Sequence, residues 1–204
     1  MKKCIITIGR EFGSGGREIG LKLAETLGIP FYDKEILKRV SEKGDLHETF
    51  LEQNEERAPQ MLVSSFERFM VDTYYQPTLS DTIFVEQSKV IREIAGEGPC
   101  VIVGRCADYI LEDSGVDILR LFISAGMSYK ISRKHAVAPE KTDYTDAQME
   151  KYIKDLEKQR RKYYEHYTGR KWGDVNNYDL CIRTDKIGTE GAVKLVLAYL
   201  ENME

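Results

Sequence analysis

Gly13-Ser14-Gly15-Gly16-Arg17, preceded by Gly9-Arg10-Glu11-Phe12, is a stretch whose residue types suit phosphate chemistry. Glycines let backbone N–H groups crowd together and face an anion. The apolar run Cys4-Ile5-Ile6-Thr7-Ile8 comes before it, and a helical pattern of Ile19, Leu23, Ala24 and Leu27 follows. Strand, glycine-rich loop and helix form the layout of a phosphate cradle, to which the helix N-terminus adds partial positive charge. The loop departs from the nucleoside-triphosphate pattern G-x-x-x-x-G-K-[ST] at its end, where Gly16 stands for the lysine and Arg17 for the hydroxyl residue. Sliding the register by one residue puts Arg17 on the lysine position, from which a guanidinium could span two phosphates. Neither register leaves a Ser or Thr to hold Mg²⁺, so no protein metal ligand is predicted.

A second chemical signal lies in 151–171. Eight Lys or Arg against three Asp or Glu give this stretch a net +5 in a chain of net −4. It contains Arg160 and Arg161, and arginine suits bidentate phosphate contact. With a phosphate loop elsewhere in the chain, the stretch reads as a lid closing over phosphates, spanning about 145–171. Arg133 and Lys134, on a helical pattern after the fourth strand-like run, are further phosphate candidates.

The elements that must carry these residues are legible from periodicity. Runs 4–8, 100–103, 118–123 and 180–182 are apolar and β-branched, and a weaker one lies at 30–32. Such near-continuous apolar strands separated by helices predict a mainly parallel five-stranded sheet covered on both faces, an α/β three-layer sandwich. A helix over about 33–41 opens on Asp33, a carboxylate suited to capping. Thr145-Asp146-Ala147-Gln148 is a capping box opening a long helix with Met149, Tyr152, Ile153 and Leu156 on its buried stripe. Ala192, Val193, Val196, Leu197 and Leu200 mark the last helix. The stretch 44–98 contains no strong strand and reads as a helical lobe inserted into a single domain of 204 residues.

At 42% hydrophobic and 31% charged residues the composition is that of a globular protein. The net negative charge argues against a general nucleic-acid binder. No apolar run is long enough to span a membrane, and the short run after Met-Lys-Lys falls below the core length of a signal peptide. A cytoplasmic location is therefore expected. Cys4, Cys100, Cys106 and Cys181 are dispersed, without C-x-x-C, and read as free thiols. Homo-oligomerisation stays open.

The blocks Thr7 to Ile19, Gly28 to Glu35, Val103-Gly104-Arg105-Cys106-Ala107-Asp108, Tyr163 to Gly169, Trp172-Gly173-Asp174 and Asn177-Tyr178-Asp179-Leu180 resemble the cytidylate kinase-like family of bacteria, in the family's order. The resemblance implies a P-loop kinase fold with a helical acceptor lobe and a lid, and a phosphotransferase using ATP and Mg²⁺ on CMP or a related small acceptor. It implies a phosphate site of Arg10, Gly13, Ser14, Gly15, Gly16, Arg17 and Arg133. Catalytic arginines would be Arg17, Arg160 and Arg161. Asp33, Arg39, Arg105 and Asp108 would line the acceptor side, although Cys106 replaces an aspartate of the family's Gly-Arg-Asp element. The tyrosines of 163–167 are expected to pack into the domain rather than stack on a base.

Two other readings remain. A nucleotide-binding regulatory protein of the same fold would keep the cradle without turnover, consistent with the missing lysine and metal anchors. A dinucleotide-binding oxidoreductase would need glycine at position 18, which is Glu18, and has no use for a basic lid.

Overall fold

The computed structural model describes residues 4–43, 56, 78–137 and 144–203. Five strands form one all-parallel sheet: β1 (Ile5–Arg10), β2 (Phe31–Tyr32), β3 (Val101–Val103), β4 (Ile118–Ser124) and β5 (Leu180–Arg183), in the order β2-β3-β1-β4-β5. Ile6 of β1 faces Val101 on one side and Leu119 on the other. The central strand is buried on both faces, so its side chains feed two separate cores. Ile5 joins the layer of α2 (Glu35–Lys43) and α3 (Leu79–Glu97), whereas Ile6 and Ile8 join the layer of α1 (Gly16–Leu27) and α7 (Thr184–Glu201). The three-layer arrangement and all five strands match the sequence expectation.

The order β3-β1-β4 places a switch in connection direction beside the carboxyl end of β1, where open α/β sheets bind ligands. Arg10 ends β1 there, and Gly104-Arg105-Cys106 follows β3 into the short helix α4 (Ala107–Ile110). α5 (Met127–Val137) follows β4 on the same edge.

The long helix α6 (Asp146–Thr168) opens on the expected capping box: the Thr145 N–H donates to Gln148 Oε1 at 2.8 Å and the Gln148 N–H to Thr145 Oγ1 at 3.3 Å. Its last third is core. Tyr163 and Tyr164 are buried, the Tyr163 hydroxyl donates to Gln87 Oε1 at 3.1 Å, and Tyr167 stacks on Phe84 at 4.0 Å between centroids. The expected lid is thus the forward part of a helix rooted in the domain.

One expectation on helix starts is corrected. Asp33 does not cap α2, because its carboxylate is drawn to Arg17 and Arg105, and the Glu35 carboxylate instead accepts the Asp33 N–H at 3.0 Å. Of the expected inserted lobe 44–98, α3 and Glu56 are described, and the rest lies outside the described residues. α3 has its own capping box from Thr78 and Asp81. All four cysteines are free thiols, three buried and Cys181 exposed.

Candidate active site

A cleft of about 740 Å³ opens at the carboxyl ends of β1 and β3. Its floor is the glycine loop, and one wall is the forward part of α6 with Leu156, Gln159 and Arg160. The loop is held from inside. Ser14 is fully buried, its Oγ donates to Glu11 O at 2.9 Å, and its own carbonyl accepts the buried Thr184 hydroxyl at 2.7 Å. Gly13 and Gly15 have φ of +80° and +87°, which side-chain-bearing residues rarely adopt. The N-cap Gly15 brings no side chain to the N-terminus of α1, which leaves its first-turn amides beside the cleft as an anion-binding edge. This arrangement fits a triphosphate.

Gly16 is explained by its neighbour. A Cβ there would lie 2.6 Å from Arg10 Cβ and 3.3 Å from Ile123 Cβ. The arginine that ends β1 therefore occupies the ground a lysine stem at position 16 would need. Arg10 then runs on to the carboxylate of Glu56, at 2.6 Å.

Cations surround the loop from three directions. Arg133 of α5 lies over Gly15 and pairs with Glu18. Lys134 caps the Phe12 ring at 4.5 Å, and Arg160 approaches the same ring at 5.5 Å. Arg17 does not turn back over the loop. Its Nε donates to Asp33 Oδ2 at 2.7 Å and its guanidinium lies over Phe31, so it faces the Asp33 end of the cleft. Glu18 accepts hydrogen bonds from Lys22, Arg133 and Thr189, and these, Lys22 foremost, outweigh burial and hold its pKa down at about 2. With its oxygens committed to those donors, Glu18 does not fit as an Mg²⁺ anchor, and Asp33 is likewise committed to arginines.

That shift gives a testable pH dependence. Glu18 titrates near 4.5 when unfolded and near 2 when folded. Its stabilising contribution is complete above the unfolded value and disappears as pH falls between the two. Glu18→Gln is expected to be less stable at neutral pH and to lose stability less steeply through that acid window, as read by denaturant unfolding.

Several predicted site residues lie elsewhere. Arg39 pairs with Glu97 at 2.6 Å and stacks on Tyr32, beside a second, apolar cleft at the amino ends of the strands. Arg161 lies over Trp172, outside the cleft. Asp108 is buried and accepts the Tyr164 hydroxyl at 2.7 Å; burial pushes its pKa up. Arg105 is also buried, with its guanidinium on Val103 O at 3.2 Å and Asp33 Oδ1 at 3.5 Å. Its backbone N–H, rather than its side chain, reaches the cleft, at Glu56. Gly13, Gly15, Gly16, Arg10, Arg17, Asp33, Arg133 and Arg160 all line the cleft.

Two contributors escaped the sequence reading. Glu56 had no local signal, whereas Lys130 sits three and four residues before Arg133 and Lys134, on one face of α5. Lys130 is buried and reaches Glu11 at 2.8 Å and Glu157 at 2.6 Å, tying the loop to α6. Burial opposes its charge, but the two carboxylates more than offset it and raise its pKa. Lys130→Met leaves two carboxylates facing each other and is expected to cost about 2–3 kcal/mol in chemical unfolding, below the full buried-pair range because Glu11 keeps some water.

Residues 5–186 match the profile of the cytidylate kinase-like family. The chain belongs to that family. No curated protein sequence matches it. An uncharacterised protein from Eubacterium ventriosum is 29% identical, with a TM-score of 0.72, over 98% of this chain and 99% of that one. The shikimate kinase of Bacteroides thetaiotaomicron is 14% identical, TM-score 0.58, over 98% and 99% of the two chains. The shikimate kinase of Acinetobacter baumannii, solved with shikimate, is 14% identical, TM-score 0.53, over 99% and 96%. The shikimate kinases share the fold: a P-loop kinase sheet with helices on both faces. The departure of this chain from the nucleoside-triphosphate pattern falls at Gly16 and Arg17, which lie against Arg10 and Asp33.

Proposed function

We propose that the protein is a phosphotransferase that moves the terminal phosphoryl group of ATP to CMP or a related small acceptor. The observation that carries this reading is the convergence of the glycine loop, Arg10, Arg133 and Arg160 on one cleft, with Asp33 and Arg17 at its other end. Phosphoryl transfer requires donor and acceptor in line and cations around the moving group, and little covalent chemistry from the protein. The α1 amides receive the donor phosphates, Arg133 neutralises them from α5, and Arg160 meets the transferring group from α6. Asp33, held by Arg17 and Arg105, orients the acceptor from the far side. Mg²⁺ is expected with the ATP.

A second reading, a nucleotide-binding regulatory protein, is favoured by two observations: the lysine position is closed by Arg10, and Glu56 already pairs with Arg10 and Arg160. One assay separates the two. Purified protein is incubated with ATP and Mg²⁺ and a panel of nucleoside monophosphates, with shikimate as a hydroxyl-bearing control. Diphosphate formation that depends on CMP is the expected result. Thermal stabilisation by ATP without acceptor-dependent turnover on any member of the panel establishes the regulatory reading instead.

A further inference from the structure

A carboxylate sits in the part of the cleft where the cations converge. Glu56 Oε1 accepts from Arg10 Nη1 at 2.6 Å and from the Arg105 N–H at 3.3 Å, and Oε2 accepts from Arg160 Nε at 3.0 Å. The donors come from three separate elements: the end of β1, the turn after β3, and α6. Only 8% of Glu56 is exposed.

The turn that presents the Arg105 N–H is strained. Gly104, Arg105 and Cys106 have φ of +79°, +56° and +55°, three successive left-handed residues of which two carry side chains. Such conformations are unfavourable for residues that carry a Cβ, and they cluster at ligand clamps. A Cβ on Gly104 would run into both Arg10 Nη1 and Glu56 Oε1. Glycine here lets the anion and the guanidinium approach the backbone.

Glu56 is not built as a proton acceptor. Burial alone would raise its pKa, but the guanidiniums of Arg10, Arg160 and Arg105 overcome it and hold the carboxyl well below the usual range. What the contacts describe is an anion in a three-donor pocket. Two guanidiniums and an amide are equally suited to phosphate oxygens.

We propose that Arg10, Arg160 and the Arg105 N–H form a subsite for one phosphate group of the ligand, and that Glu56 occupies it as an internal counter-ion that the ligand must displace. The inference rests on the reading of this cleft as a phosphate site, and it adds a built-in competitor. The carboxylate keeps the arginines gathered and partly offsets their charge when no ligand is bound. It also weakens the binding of every phosphate ligand that needs the subsite.

The test uses inorganic phosphate and isothermal titration at fixed ionic strength, with no nucleotide and no transfer step. Glu56→Gln is expected to bind phosphate about tenfold tighter or more than wild type, because each charge-assisted contact it frees is strong. Adding Arg160→Ala must erase that gain, which separates the subsite from the glycine loop. If Glu56→Gln does not fold, Glu56→Asp keeps the charge but withdraws it by one methylene, and it is expected to bind phosphate tighter than wild type by a smaller factor. Equal or weaker phosphate binding in the folded variant overturns the proposal and leaves Glu56 as a positioning residue for the two arginines. A gain that persists without Arg160 overturns it as well. An inactive kinase can pass this test and an active one can fail it, so the two readings are judged independently.

Discussion

Arg160→Ala is expected to lower kcat by about 10²-fold or more while changing ATP affinity only a few-fold. In the proposed reaction the arginine meets the moving phosphoryl group from α6. Its Nε is held by Glu56 at 3.0 Å, its Nη1 donates to Arg10 O at 3.4 Å, and its guanidinium lies near Phe12 at the mouth of the loop. In the proposed function the triphosphate is received mainly by the amides of α1 and by Arg133, neither of which the substitution touches. A group that gains its partner only as charge develops lowers kcat with little effect on affinity. Arg161→Ala serves as the control. Its side chain lies over Trp172, so it should retain most of the activity. Parallel losses of kcat and ATP affinity in Arg160→Ala would assign the residue to ground-state binding, and no loss in either would leave it a surface charge.

Restoring the missing lysine is expected to do harm. Gly16→Lys brings a Cβ to 2.6 Å from Arg10 Cβ and 3.3 Å from Ile123 Cβ, both atoms next to backbone rather than at the end of a flexible chain. Neither can retreat without moving β1 or β4. Overpacking of this kind costs about 1–3 kcal/mol, and here it also distorts the loop, so ATP affinity should fall by about tenfold or more. The double change Arg10→Gly with Gly16→Lys removes the obstruction and should recover both stability and ATP binding, a non-additivity expected of residues in contact. Denaturant unfolding and ATP titration of the three variants check this. Wild-type stability in Gly16→Lys alone would show that Arg10 does not bar the position.

The sheet was legible because β1, β3, β4 and β5 are short β-branched runs with no competing helical period. The glycine loop was legible for a similar reason, since its conformation depends on residues adjacent in sequence. The caps divided along the same line. Thr145 and Gln148 satisfy each other locally and were found, whereas Asp33 was read as a cap because its pull toward Arg17 and Arg105 is tertiary. Side-chain direction was the hard part. Arg39 and Arg161 have the right type and roughly the right place, but Glu97 and Trp172 claim them. Glu56 was invisible, because its role depends on three arginines distant from it in the chain.

The rooting of α6 has a mechanical consequence. Tyr163 and Tyr164 fix the far end of a 23-residue helix. A helix rises about 1.5 Å per residue, so Asp146 lies roughly 25 Å from that pivot and Arg160 only about 4.5 Å from it. A swing of about 10° therefore carries the tip roughly 4–5 Å and Arg160 less than about 1 Å. That tip is held as well, since Met149 and Ile153 are buried and Asp146 Oδ1 lies 3.0 Å from His135 Nε2, so a swing would have to break this packing while the guanidinium near the pivot stays almost stationary. Loosening the Met149 and Ile153 packing should therefore change how fast ligands come and go more than it moves the arginine.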